Sequence, residues 1–129
     1  MTAPSLPLPA ATVRAVIADR LPDMTVYVDV PRDPAAEYVR IVSRGGTRKH
    51  HGELQNRVCQ VIGYGPTSAR AAMACERAVT ALVGAGMDPA ETRIRGVTVA
   101  AEAADYADPD TGAPRATSTV VVLMRGTTP

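Results

Sequence analysis

Phenylalanine and tryptophan are absent from this sequence of 129 residues, whose only aromatic side chains are four tyrosines, 3% of the chain. The interior must therefore be filled by Val, Ala, Leu, Ile and Met, which are small or pliable and offer little contact area per residue. Such a core makes further burial at a subunit interface attractive. Cysteine is scarce too. Cys59 and Cys75 cannot make a disulfide framework, and in a reducing compartment both read as small buried hydrophobes. There is almost no charge excess: a formal net charge of +1 gives no global attraction to nucleic acid or anionic membrane, so any electrostatic role is local. No apolar run approaches ~18 residues. The start, Met1 to Ser5, lacks the basic region and apolar core of a signal peptide, so a soluble cytosolic chain is expected.

What is present has the length of one domain, residues 1–129, with a core of its own. After a Pro-rich lead, Val13, Val16, Ile17 and Leu21 recur at helical spacing, with Pro9 suited to the first turn and Pro22 to the stop. Val26, Val28 and Val30 alternate with polar residues in a first strand that ends at Pro31. Tyr38 to Val42 read as a second strand, and Asn56 to Gly63 as a third with Cys59 and Val61 on one face. Between them lies a long polar loop, 43–55. Thr67 or Ser68 can cap a second helix whose apolar stripe includes Ala72, Cys75, Val79, Leu82 and Val83, and which Gly84 and Gly86 are expected to end. One helical turn is plausible at Asp88-Pro89-Ala90-Glu91. Strands four and five, Arg95 to Glu102 and Thr117 to Met124, flank a turn-rich loop, Asp108-Pro109-Asp110-Thr111-Gly112-Ala113-Pro114-Arg115. The order α, β, β, β, α, β, β is not the alternation of a doubly wound sheet. It predicts an α+β fold: an antiparallel or mixed sheet of four to five strands, two helices mainly on one face, and long loops between strands 2 and 3 and strands 4 and 5.

Motifs for chemistry are few. His50 and His51 with Glu53 do not complete a metal site, because adjacent residues in an extended loop point apart. Asp105, Asp108, Asp110 and Gly112 fail the EF-hand spacing and have Pro109 among them. Gly63-Tyr64-Gly65-Pro66-Thr67-Ser68 precedes a helix without the ending of a phosphate loop, and no Gly-x-Ser-x-Gly elbow occurs. No catalytic residue, metal or cofactor is expected. Charge placement is the remaining signal. Arg40, Arg44, Arg48 and Lys49 stand with no acid through residue 51, beside His50 and His51, whereas residues 102–110 hold Glu102, Asp105, Asp108 and Asp110 and no base. Two solvated loops would account for this. A sharper expectation is that one segment meets the other across a head-to-tail subunit contact, where opposite potentials fix register.

The layout resembles the tail terminator, or tail completion, proteins of long-tailed bacteriophages and actinobacterial prophages. The resemblance is carried by Arg20-Leu21-Pro22 at the end of the first helix, by Arg40-Ile41-Val42 followed by Gly45-Gly46 and basic residues, and by the Asp-Pro-Asp-x-Gly-x-Pro-Arg loop from Asp108 to Arg115 before a final Val-rich strand. Gln60 and Ala116 depart from it, standing where bulkier side chains are expected. The resemblance implies a non-enzymatic virion protein of the tail–neck region, assembled in the host bacterial cytoplasm. Its implied partners are itself, as a hexameric ring, the tail tube protein, and a neck or head-completion protein, with non-specific contact to passing DNA and none to membrane. Arg44, Arg48, Lys49, His50, His51, Asp105, Asp108, Asp110 and Arg115 are the expected interface residues. Another head-to-tail connector, such as a stopper or adaptor, or a minor capsid protein is the nearest alternative; a small cytosolic enzyme or ligand-binding α+β domain is the alternative of another class.

Overall fold

The computed structural model describes residues 8–49, 54–107 and 111–125. Its elements are α1 (Pro9–Arg20), β1 (Val26–Tyr27), β2 (Tyr38–Lys49), β3 (Leu54–Tyr64), α2 (Ser68–Met87), β4 (Ile94–Ala107) and β5 (Pro114–Arg125). The fold is α+β. Five strands form one mixed sheet in the order β1-β2-β3-β5-β4, in which β1 pairs parallel with β2 and every other neighbour is antiparallel. Among the described residues no helix is long and apolar enough to cross a membrane.

Both helices pack on the same face of the sheet, and alternation along the strands decides which residues meet them. Val39 and Ile41 of β2, Cys59 and Val61 of β3, and Ala116, Val120, Val122 and Met124 of β5 are buried in one core with Val13, Val16 and Ile17 of α1 and Cys75, Ala78 and Leu82 of α2. No ring enters that cluster. Close approach substitutes for bulk: a Cβ at Gly63 would collide with the Ala71 carbonyl oxygen and lie 2.6 Å from the Cys75 nitrogen, so α2 rests almost directly on the β3 backbone. Thr67 caps the helix by accepting a hydrogen bond at Oγ1 from Arg70 N–H, 3.2 Å away.

Several local expectations change. The predicted long loop at 43–55 is mostly strand, since β2 runs to Lys49 and β3 starts at Leu54. β2 runs past its expected end at Val42 through a bulge at 44–45, where Gly45 and Gly46 have φ of +102° and +154°, and a Cβ at Gly46 would collide with Asn56 O. The predicted loop before β5 also shrinks, because β4 continues to Ala107 and β5 begins at Pro114. Gly84 and Gly86 fail to stop α2, which reaches Met87 because Ala85, between the two glycines, is still buried against the sheet. β1 is only two residues long. After it the chain turns away, and the Ala35 N–H donates to the Tyr27 hydroxyl 3.3 Å off. At Asp88 there is a hydrogen-bonded turn, closed by Glu91 N–H donating to Asp88 O, and no helix.

Candidate functional site

The strand order places the two charged segments on opposite margins of the sheet. β2 carries Arg44, Arg48 and Lys49 near one margin, β4 carries Glu102 and Asp105 at the other, and β3 and β5 lie between. Three strand spacings separate β2 from β4, about 14 Å. The described parts of the basic and acidic segments of one copy therefore do not face each other, and Arg48, Lys49 and Asp105 lie within strand ladders. His50, His51, Asp108 and Asp110 lie outside the described residues. Arg115 belongs to the interior of the sheet, paired in register with Tyr64 on one side and Tyr106 on the other, and is half-buried.

At the basic margin β1 covers β2 only at Val39 and Arg40. Arg44 lies at the bulge, is exposed, and donates from Nε to Gln60 Oε1 at 2.8 Å. Gln60 thus occupies a position where bulk is expected and anchors a surface cation across the pair β2–β3. At the acidic margin the β4–β5 register shifts between Val99 and Ala101 and again before Ala104. Ser118, 1% exposed, donates from Oγ to Ala101 O at 2.8 Å and so satisfies a carbonyl inside the irregular stretch, while Glu102 stays exposed.

The sheet face away from the helices is not covered by another layer among the described residues. Val42, Val58, Val121 and Leu123 are half-buried there among Gln60, Thr119 and the exposed Arg40. At one end it holds an aromatic cluster: Tyr27 meets Tyr38 edge-on at 5.3 Å between ring centroids, and Tyr38 stacks on Tyr64 at 4.7 Å. This cluster contains three of the four tyrosines. The sequence held its signal, tyrosines at outward positions of three strands, but their contact depends on registers that one sequence does not give.

Elsewhere charges are closed on themselves. A cleft of about 240 Å³ between the α1–β1 turn, the start of β2 and α2 is bordered by two ion pairs, Arg70–Glu37 at 2.8 Å and Arg77–Asp23 at 3.0 Å. At the other end of the helical layer Arg20 pairs with Asp88 at 2.8 Å, and Arg93 with both Asp19 at 2.7 Å and Glu91 at 2.8 Å. The Arg93 hydrogen bond holds the Glu91 carboxyl well below its ordinary value, to about 2, against the opposing effect of burial. Asp23 and Asp88 are likewise lowered, chiefly by hydrogen bonds from Arg77 and Arg20. Cys59 is fully buried and its thiol is pushed up to about 11 by desolvation; Cys75 is fully buried as well. Arg57 Nε is shielded from solvent with no hydrogen-bond partner among the described residues, and its Nη1 lies 3.4 Å from the buried Gln55 Oε1. Among the described residues no group of three His, Cys, Asp or Glu side chains is placed to hold a metal. No protein-family model and no curated protein sequence matches the chain.

Proposed function

We propose that the protein is a structural subunit of a bacteriophage or prophage tail, assembling as a hexameric ring that caps the tail tube, ends its polymerisation and presents the surface for head attachment. The observation that carries this reading is the separation of charge onto opposite margins of one sheet. A surface that is basic at one end and acidic at the other is suited to head-to-tail association, and head-to-tail contacts form a ring when the rotation between neighbours closes. The likeness of Arg20-Leu21-Pro22, Gly45-Gly46 and the Asp108–Arg115 motif to tail terminators supplies the identity of the ring. A core without Phe or Trp adds a motive for burial between subunits. Capping then means that one face of the ring matches the tube subunit and the other a neck protein, while Arg44, Arg48 and Lys49 tolerate passing DNA through phosphate contacts that read no sequence.

The test is negative-stain imaging of the purified protein alone and mixed with tail tubes of the parent phage. Rings alone and density capping tube ends are expected. Monomers that ignore tubes overturn the reading, and rings that bind portal complexes in place of tubes move the protein to the stopper or adaptor class. Charge reversal tests the contact: Arg48→Glu with Lys49→Glu should dissolve the oligomer, and adding Asp108→Lys and Asp110→Lys should partly restore it. Unchanged native mass in the first variant refutes an electrostatic subunit contact.

A further inference from the structure

We infer that the subunits join by continuing the sheet: the outer edge of β4 in one copy pairs, antiparallel, with the uncovered edge of β2 in the next copy. The inference rests on the ring reading and specifies its contact. β1 meets β2 only at Val39 and Arg40, so from Ser43 to Lys49 the outer side of β2 has no partner strand among the described residues. β4 ends the sheet on the other side over its full length, Ile94–Ala107. The Val39 N–H donates to Thr25 O, away from β3, and the two-residue period of the strand directs the Ser43 N–H the same way. Each margin therefore presents main-chain groups of the kind that recruit another strand.

Charge selects which margin meets which. The stretch from Ser43 to Lys49 contains Arg44, Arg48 and Lys49 and no acid, and the stretch from Thr98 to Asp105 contains Glu102 and Asp105 and no base. Pairing β2 with β2, or β4 with β4, about a two-fold axis sets like charges side by side; β4 against β2 sets cations beside carboxylates. Direction follows from the topology. β2 and β5 run one way and β3 and β4 the other. Rotation about a ring axis preserves the sense of every strand along that axis, so β4 of one copy necessarily runs opposite to β2 of its neighbour. Antiparallel pairing is also the slightly more stable geometry per residue. Residues 100–104 of β4 are alanine except Glu102, which leaves the approaching backbone little bulk to displace.

Backbone hydrogen exchange of the full chain tests this, with the assembled state compared with the Arg48→Glu/Lys49→Glu variant or with a diluted, dissociated sample, and native mass recorded for each. In the ring the Ser43 amide and the segments 43–49 and 98–104 should exchange at least about tenfold more slowly than in the monomer, while the β3–β5 ladder stays unchanged. A ring whose Ser43 amide and edge segments exchange at the monomer rate overturns the strand pairing and leaves the ring reading standing. A chain that stays monomeric at every concentration and leaves tail tubes uncapped overturns both.

Discussion

Two glycine-to-alanine substitutions in the same helix–sheet layer should have opposite signs. At Gly63 an added Cβ collides with the Ala71 carbonyl oxygen and sits 2.6 Å from the Cys75 nitrogen, and both neighbours are main chain of α2, which cannot rotate aside as a side chain can. The helix must lift from β3, loosening Cys75, Ala78 and Val61, all of which are buried beside it. Overpacking typically costs 1–3 kcal/mol, and a backbone obstacle places this site at the upper end, about 3 kcal/mol. For a chain of this size each kcal/mol moves the midpoint by roughly 3–5 °C, so Gly63→Ala should lower Tm by about 10 °C. Gly84 is exposed within α2 with nothing within 4 Å of an added methyl, so Gly84→Ala gains helix propensity without a clash, about 0.5–1 kcal/mol or a few degrees of Tm. Circular dichroism melts of the two variants against wild type decide the matter. A Gly63→Ala protein melting within 2 °C of wild type refutes the claim of backbone contact, and a destabilised Gly84→Ala protein refutes the assignment of that turn as regular helix.

Acid titration should expose the Glu91–Arg93 contact. The folded carboxyl, held to about 2, lies below its ordinary value of 4.5, so the contact stabilises the fold fully above pH 4.5 and is lost as pH falls from there toward 2. The Glu91 side chain is 7% exposed but that of Arg93 is 36% exposed, so solvent screening reduces the contribution to about 1–2 kcal/mol. Glu91→Gln should remove that much of the pH dependence in urea melts between pH 5 and 2.5, and an unchanged dependence would sink the assignment. Both thiols should resist an aromatic disulfide reagent at pH 8 until the chain unfolds, since Cys59 and Cys75 are fully buried and Cys59 is pushed up to about 11; rapid labelling in native buffer contradicts this. Ser118→Ala should cost about 1 kcal/mol by stripping the Ala101 carbonyl of its hydroxyl donor, measured as a shift in urea midpoint at constant m.

The helices and the core face were legible because their signals are local. Pro9 and Pro22 bracket α1, Thr67 opens α2, and Cys59 and Val61 alternate cleanly with Val58 and Gln60. The strand ends were not legible, since their stability is non-local. Arg48 and Lys49 have no strand preference that outweighs the two glycines before them, yet they are held by pairing with Gln55 and Leu54. The alanines of β4 likewise read weakly and are held by β5. The charges of the candidate site were visible at once, but their placement on opposite margins required the strand order, in which β5 inserts between β3 and β4.

The missing aromatics explain why the helical layer is tied down at its margins. A core built from Val, Ala and short aliphatic side chains brings α2 close to the sheet, but presents few large side chains to hold α1 or the connecting turns. Arginine takes over that task. Arg20 joins α1 to Asp88 after α2, Arg93 reaches back to Asp19 of α1, Arg77 of α2 holds Asp23 after α1, and Arg70 of α2 holds Glu37 before β2. Arg14 adds a donor from Nε to the Val26 carbonyl, 2.9 Å away, fixing the short strand β1 to the helix beneath it. All four of these ion pairs join segments remote in sequence and are partly exposed, so each contributes little by itself and weakens with salt. Together they commit the arginines of the helical layer to intramolecular partners. The exposed Arg40 and Arg44, with Arg48 and Lys49 after them in sequence, lie on β2, which makes its uncovered margin a place where this nearly neutral chain can present several positive charges together to another molecule.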